Sequence, residues 1–249
     1  MDADLWNIES LRLTNFVDNE FDPKNLEKWL IDISGEQPIQ INKTVSSFSG
    51  LSKLETSIVK LAWQQNRIDL IENSDAPHIA NNIGHFSSFS EHCEKHILKY
   101  FQMENCPLLD RLALGVILYL PVVSNEEGIK KITPLLKSVK NIEDSEDFSF
   151  RINWPIRSRI ADGIKINRLL TWTVGPVQIL QIDPQKGLAR KITPSTSPEL
   201  QIRLEIDLST DQKLDRKLSL DQQKEVVNYL IKIVNIVAES GEQGLLKVD

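Results

Sequence analysis

His92, Cys93 and His96 crowd into one short stretch, and all four histidines and both cysteines of this 249-residue chain lie between His78 and Cys106. Histidines four apart share a helix face. His92 and His96 are therefore the candidate metal ligands, with His78, His85 or Cys106 as further donors to a zinc ion. The pattern departs from the zinc-hydrolase helix H-E-x-x-H, because Cys93 stands where the glutamate belongs. Structural zinc sites normally supply paired cysteines, and no pair occurs. At about 100° per residue, Cys93 joins Phe89, Ile97 and Tyr100 in an apolar stripe and the two histidines line its edge. In that position an imidazole packs its ring and solvates its nitrogens, which is the alternative to metal binding.

Two other groups of residues have chemistry to offer. From Arg151 to Lys191 the charged residues are Arg151, Arg157, Arg159, Lys165, Arg168, Lys186, Arg190 and Lys191 against Asp162 and Asp183, a balance of +6 in a chain of net charge -6. Positive charge interleaved with Trp154 and Trp172 is what single-stranded nucleic acid recognition uses, through phosphate contacts and base stacking. Alternation sets Trp154 with Phe150 and Ile152, however, which turns its ring toward the core. Glu205 and Asp207 share one strand face, as carboxylates that hold a divalent cation in a nuclease do, or as charges that simply solvate a strand. Nucleotide and nucleophile motifs are missing. Ser47-Phe48-Ser49-Gly50 lacks the first glycine of a nucleophile elbow, and none of the ten glycines belongs to a phosphate-binding loop. No ATP, NAD or flavin cofactor is expected.

These residues must be carried by a framework, and its periodicities are legible. Leu5 to Phe16 reads as a strand. Asp22-Pro23 supplies an N-cap and a first-turn proline for a helix carrying Leu26, Trp29, Leu30 and Ile33, which Gly35 stops. Strands follow at Pro38 to Phe48, Ser57 to Gln64 and Arg67 to Glu72, and Ser88 with Glu91 forms an S-x-x-E capping box for a helix reaching Phe101. This half reads β-α-β-β-β-α. Leu112, Leu114, Val116, Leu118 and Leu120 alternate along the next strand, which Pro121 closes. Ser124 and Glu127 cap a helix, and Pro134 starts a second short one or kinks the first. Phe148 to Ile156 alternates again, Ile164 to Val174 and Pro176 to Asp183 are further strands, and Ile202, Leu204, Ile206 and Leu208 face inward from another. Ser219 and Gln222 cap a long final helix, nearly all apolar from Val226 to Ala238 and ended by Gly241. The second half reads β-α-β-β-β-β-α.

The expected fold class is therefore α+β: a tandem pseudo-repeat of β-α-β(3-4)-α units with antiparallel sheets, one face of each covered by helices. The division falls at 1–105 and 106–249. The last helix is apolar over more than one stripe, so it is central to the monomer or shared with another chain. Trp154, Trp172, Ile233 and Ile236 are the candidate partner-interface residues.

The duplicated element order resembles the saddle of the TATA-binding proteins, a resemblance of order alone, from which no function follows. At residue level, RINWP at Arg151 to Pro155, KINRLLTWTV at Lys165 to Val174 and LEIDL at Leu204 to Leu208 resemble a sporadically distributed family of uncharacterised bacterial proteins. That resemblance covers mainly the second half. It implies a bacterial origin and assigns no catalytic residue; its sporadic distribution suggests a part in host defence.

Free thiols, an acidic N-terminus and apolar runs too short to span a bilayer point to a cytoplasmic protein. Function is expected to be that of a non-enzymatic accessory subunit that binds another protein or a second copy of itself. The alternatives are a nucleic-acid-binding module using Arg151, Arg157, Arg159, Lys165 and Arg168, and a metal-dependent hydrolase or nuclease.

Overall fold

Ile8 and Leu11 are both apolar and three apart, an odd spacing for a strand that must keep both on one face. In the computed structural model the conflict is relieved by an irregularity between Ile8 and Ser10 in the pairing of β1 (Asn7–Phe16). The extra residue restores the phase, so that Ile8, Leu11 and Leu13 are all buried. The structure describes residues 3–18, 20–75, 82–161, 163–176, 179–183, 188–192, 200–211, 214 and 216–245.

After β1, a 3-10 turn capped by the Asp22 side chain leads into α1 (Leu26–Ser34), which Gly35 ends in a left-handed conformation. Four strands follow: β2 (Gln40–Lys43), β3 (Ser47–Lys53), β4 (Ser57–Gln64) and β5 (Arg67–Ser74). The short β6 (Gly84–His85) precedes α2 (Phe89–His92), which continues as a π-helix over Cys93–Leu98. The second half comprises β7 (Arg111–Val122), α3 (Asn125–Ile132), β8 (Phe148–Asn153), β9 (Ile156–Arg157), β10 (Lys165–Pro176), the hairpin of β11 (Ile179–Asp183) and β12 (Leu188–Ile192), β13 (Leu200–Thr210), α4 (Leu220–Ser240) and α5 (Glu242–Leu245).

All main strands join one antiparallel sheet in the order β2-β3-β4-β5-β1-β7-β13-β10-β8, with β6 and β9 attached to β1 and β10. The protein is thus mixed helix and antiparallel sheet. Helices cover one face: α1 lies on β3 and β4, α3 on β7, β10 and β13, and α4 on β7 between the π-helix and α5. As the alternation predicts, Ile202, Leu204, Ile206 and Leu208 are buried, as are Leu26, Trp29, Leu30 and Ile33 of α1. The apolar α4 is central to the monomer, and Trp6 Nε1 donates to Ala238 O at 3.2 Å, tying the start of the chain to the last helix. Its capping box from Ser219 and Gln222 is complete. Among the described residues no helix is long and apolar enough to cross a membrane.

Three local expectations are corrected. The strand expected over Pro38 to Phe48 is a hairpin, because Thr44 Oγ1 bonds Ser47 Oγ at 2.7 Å and accepts from the Ser46 amide, making a turn where alternation alone suggested extension. Ser88 does not cap α2. It already has helical-turn dihedrals, so its hydroxyl donates to His85 O instead. Pro121 lies inside β7, paired with Gln201 of β13. It is tolerated because β1 reaches only Tyr119, leaving the other side of Pro121 without a strand to bond.

Gly128 marks the closest approach of α3 to the sheet: a Cβ there would lie 2.5 Å from Val174 Cγ1. Alanine normally gains about 1 kcal/mol over glycine in a helix, but overpacking costs about 1–3 kcal/mol. Gly128→Ala is therefore expected to lower stability in urea unfolding, and the cost shrinks when Val174→Ala is combined with it. Additive effects of the two changes would refute the contact.

Candidate functional site around Glu72

β5 buries Ile68 and Leu70, and the next inward position is a carboxylate, Glu72, only 3% exposed. A buried anion needs partners, or its desolvation outweighs the folding energy around it. Three side chains supply them. Ser57 Oγ, at the start of β4, donates to Glu72 Oε1 at 2.8 Å. His92 Nδ1 lies 3.0 Å from Oε1 and 3.1 Å from Oε2, and His96 Nδ1 lies 2.7 Å from Oε2. An ionised carboxylate only accepts, so each neutral imidazole must carry its proton on Nδ1.

The helix is shaped to make this possible. Phe89, Cys93, Ile97 and Phe101 are all buried at intervals of four residues. An ordinary helix drifts by about 40° over each such step, so a repeat of four cannot stay on one face. The wider π-turn over Cys93–Leu98 absorbs the drift. Beside that row runs a second, also four apart, holding His92, His96 and Tyr100. The two histidine rings stand 6.3 Å apart at 50°, both turned to the same carboxylate. Gly84 closes the other side. Its φ of +152° is one that side-chain-bearing residues avoid, and a Cβ there would sit 3.1 Å from His92 Nε2.

Burial pushes the Glu72 carboxyl up, but the hydrogen bonds and charges of the two histidines outweigh it and bring it down to about 2. The site therefore holds a carboxylate at neutral pH. Both thiols move the other way: burial and the nearby Glu72 and Glu94 raise Cys93, and burial raises Cys106 to about 12. Neither is a thiolate nucleophile at neutral pH. Between the end of α1 and the π-helix, Ile33, Ser34, Glu94, Lys95, His96 and Lys99 line an open pocket of about 420 Å³, which brings solvent to one side of the cluster.

The other candidate residues are dispersed. His85 is exposed on β6, Cys106 packs on the core near Gln223, and His78 lies outside the described residues. Arg151, Arg157, Arg159 and Lys165 are exposed, Lys165 lying 3.9 Å from Asp211. Arg168 is buried, and its guanidinium donates to Trp154 O and Leu245 O, both at 2.7 Å, so it clamps the chain and cannot reach a phosphate. The side chains of Lys186, Arg190 and Lys191 lie outside the described set. Trp172 and Ile233 have no exposed surface, while Trp154 and Ile236 are partly buried against the core. Glu205 is engaged by Arg203, which also bonds Glu9. Among the described residues, Glu72, His92 and His96 form the one grouping with metal-ligand character, and Glu205 and Asp207 are not part of it. Comparison with protein-family models and with curated proteins gives no match.

Sequence reasoning found His92 and His96 but missed Glu72. The signal was present: a glutamate in the inward phase of the alternation Ile68, Leu70, Glu72 demands a buried partner.

The Glu72 carboxyl is depressed from 4.5 to about 2. Its contribution to stability is therefore complete above pH 4.5 and is lost as pH falls toward 2, by roughly 3 kcal/mol in total. In chelator-treated protein, urea midpoints are expected to drop over that window, and Glu72→Gln to remove much of the drop while lowering stability at neutral pH. An unchanged acid profile in the variant would contradict this.

Proposed function

We propose that the chain is a non-enzymatic interaction subunit that joins a multiprotein assembly through the open edge of its sheet. The observation that supports this is β2, an outermost strand whose residues are all exposed. Around it Ile39, Ile41 and Val45 are 63%, 38% and 101% exposed. Edge strands are ordinarily blunted by charge, proline or a covering element. Here the exposed Ile39 and Ile41 alternate with Gln40, Asn42 and Lys43, and among the described residues no element lies over the strand, so it can take an added strand from a partner, where main-chain bonds give affinity and alternate side chains give specificity. At the opposite edge β8 exposes only Ser149, Arg151 and Asn153, its apolar residues being buried or half-buried.

The charge balance favours a protein over nucleic acid as the partner. Part of the charge on the uncovered sheet face is internally paired, as in Arg67 with Asp69 and Arg203 with Glu9 and Glu205. The chain as a whole carries a net charge of -6, which disfavours the counterion release that drives binding to a phosphate backbone. The loss of Arg168 to the core weakens the nucleic-acid reading further.

The two halves, 1–105 and 106–249, are in this reading a tandem pseudo-repeat. From the central pair outward, β5, β4 and β3 follow β1, while β13, β10 and β8 follow β7. α1 then corresponds to α3, and α2 with its π-segment to α4. The β11–β12 hairpin is an insertion in the second unit.

Native purification at endogenous expression tests the proposal. A stoichiometric partner is expected, and the double change Ile39→Lys with Ile41→Lys should release it without lowering the melting temperature. A doubled mass abolished by the same change would identify the partner as a second copy. Elution of the wild-type chain alone and monomeric would overturn the reading.

A further inference from the structure

The Glu72 cluster stands apart from the β2 edge and has no part in partner binding as proposed above. The geometry points to a second property: we propose that Glu72, His92 and His96 form a binding site for one first-row divalent transition-metal ion of the zinc type.

Three observations carry it. First, the ligand atoms converge. One oxygen, Glu72 Oε2, lies 3.1 Å from His92 Nδ1 and 2.7 Å from His96 Nδ1, and all three groups offer atoms within 4.8 Å of one another. Around zinc, nitrogen and oxygen ligands stand about 2.0–2.2 Å from the ion, so neighbouring ligands are a little over 3 Å apart. An ion entering between the rings replaces the two Nδ1 protons and needs only small ring displacements. Second, the carboxylate is held from behind. Ser57 donates to Oε1, leaving Oε2 as the ligand oxygen, in the manner of the outer partners that orient metal-binding carboxylates. Third, the outer nitrogens are left free of competing bonds. Among the described residues the Nε2 of His92 and of His96 has no hydrogen-bond partner, so each ring can move its proton from Nδ1 to Nε2 when the ion binds.

The donor set decides the class of ion. Two imidazoles and one carboxylate suit zinc and its neighbours, whereas calcium and magnesium require mostly oxygen ligands. Three protein ligands leave a fourth position for water, and His96 lines the open pocket beside α1. Cys93, whose thiol is buried and protonated, is not a ligand despite lying between the two histidines in sequence.

The test uses the full chain without a histidine tag, stripped by chelator and titrated with Zn2+ and, separately, with Co2+. One equivalent is expected to bind, with proton release that grows as pH falls, and Co2+ is expected to give the visible absorption of a low-symmetry nitrogen and oxygen site. His92→Ala and Glu72→Gln should each weaken binding by more than about 100-fold, and Ser57→Ala by about 10-fold. His85→Ala, which alters an exposed histidine outside the cluster, should leave binding unchanged. Circular dichroism of His92→Ala, the least buried ligand, establishes that its loss of binding is not a loss of fold. The absence of saturable binding of either ion by the wild type would overturn the proposal. So would binding that survives His92→Ala or disappears in His85→Ala. These outcomes leave the β2 proposal untouched, since partner release is read with the Ile39 and Ile41 variant alone.

Discussion

The antiparallel pairing of β1 with β7 is the interaction on which the molecule depends. β1 bonds β5 on one side and β7 on the other, from Phe16 opposite Arg111 to Asn7 opposite Tyr119. Without that seam the chain would have two smaller sheets, each with an additional open edge. A slip of one residue would turn every inward side chain of one half toward solvent. The phase is therefore fixed by the apolar sets of both strands, and the irregularity at Ile8 and Ser10 reconciles the three-residue spacing of Ile8 and Leu11 with it. The bond from Trp6 to the Ala238 carbonyl secures the same seam from the helical side.

A sheet this wide with helices on one side only makes strict demands on the covered layer. Each helix must meet the strands at a depth set by side-chain size. Gly128 lets α3 settle against Val174, and a Cβ at Gly50 would meet Leu30 of α1 at 2.6 Å. Small residues thus set how closely α1 and α3 approach, while α4, apolar over more than one stripe, fills the centre between them. The uncovered layer has no such demand and tolerates mixed polar and small residues. The result is a protein with a tightly packed inner face and a mixed polar outer one.

Much of this framework was legible because burial imposes simple periods. The alternation over Ile202 to Leu208, the stripe of α1 and the capping box at Ser219 all follow from local rules and appear as expected. What was not legible depended on partners distant in sequence. Arg168 reads as a surface charge until the carbonyls of Trp154 and Leu245 are brought to it. Glu72 reads as the end of a strand until Ser57, His92 and His96 converge on it. The helix from Phe89 failed for another reason: a wheel drawn at ordinary helical spacing puts the histidines at the rim, whereas the four-residue repeat forces a π-turn that carries His96 inside. A count of the intervals between Phe89, Cys93, Ile97 and Phe101 would have exposed that conflict.

Polar groups in the covered layer differ in what they bond, and the difference separates architecture from chemistry. Arg168 donates to two main-chain carbonyls. Gln223 donates to the carbonyls of Pro107 and Leu218, holding the segment between the halves. Glu242 accepts from both the amide and the hydroxyl of Ser138. Each of these pins a loop, so its value lies in fixing backbone, and its replacement would be felt as a loss of order in that loop. Among the described residues the Glu72 carboxylate bonds no main-chain atom; its partners are three side chains from two other elements, two of them able to exchange a proton or ligate a metal. The strands and helix it touches are already fixed by β-pairing and by apolar packing around Cys93 and Ile97. Its bonds link β4, β5 and the helix to one another through side chains alone, so the same contacts that stabilise the fold also gather groups able to ligate a metal. That is the physical reason to look for the chemistry of this protein at Glu72 rather than along its exposed carboxylates.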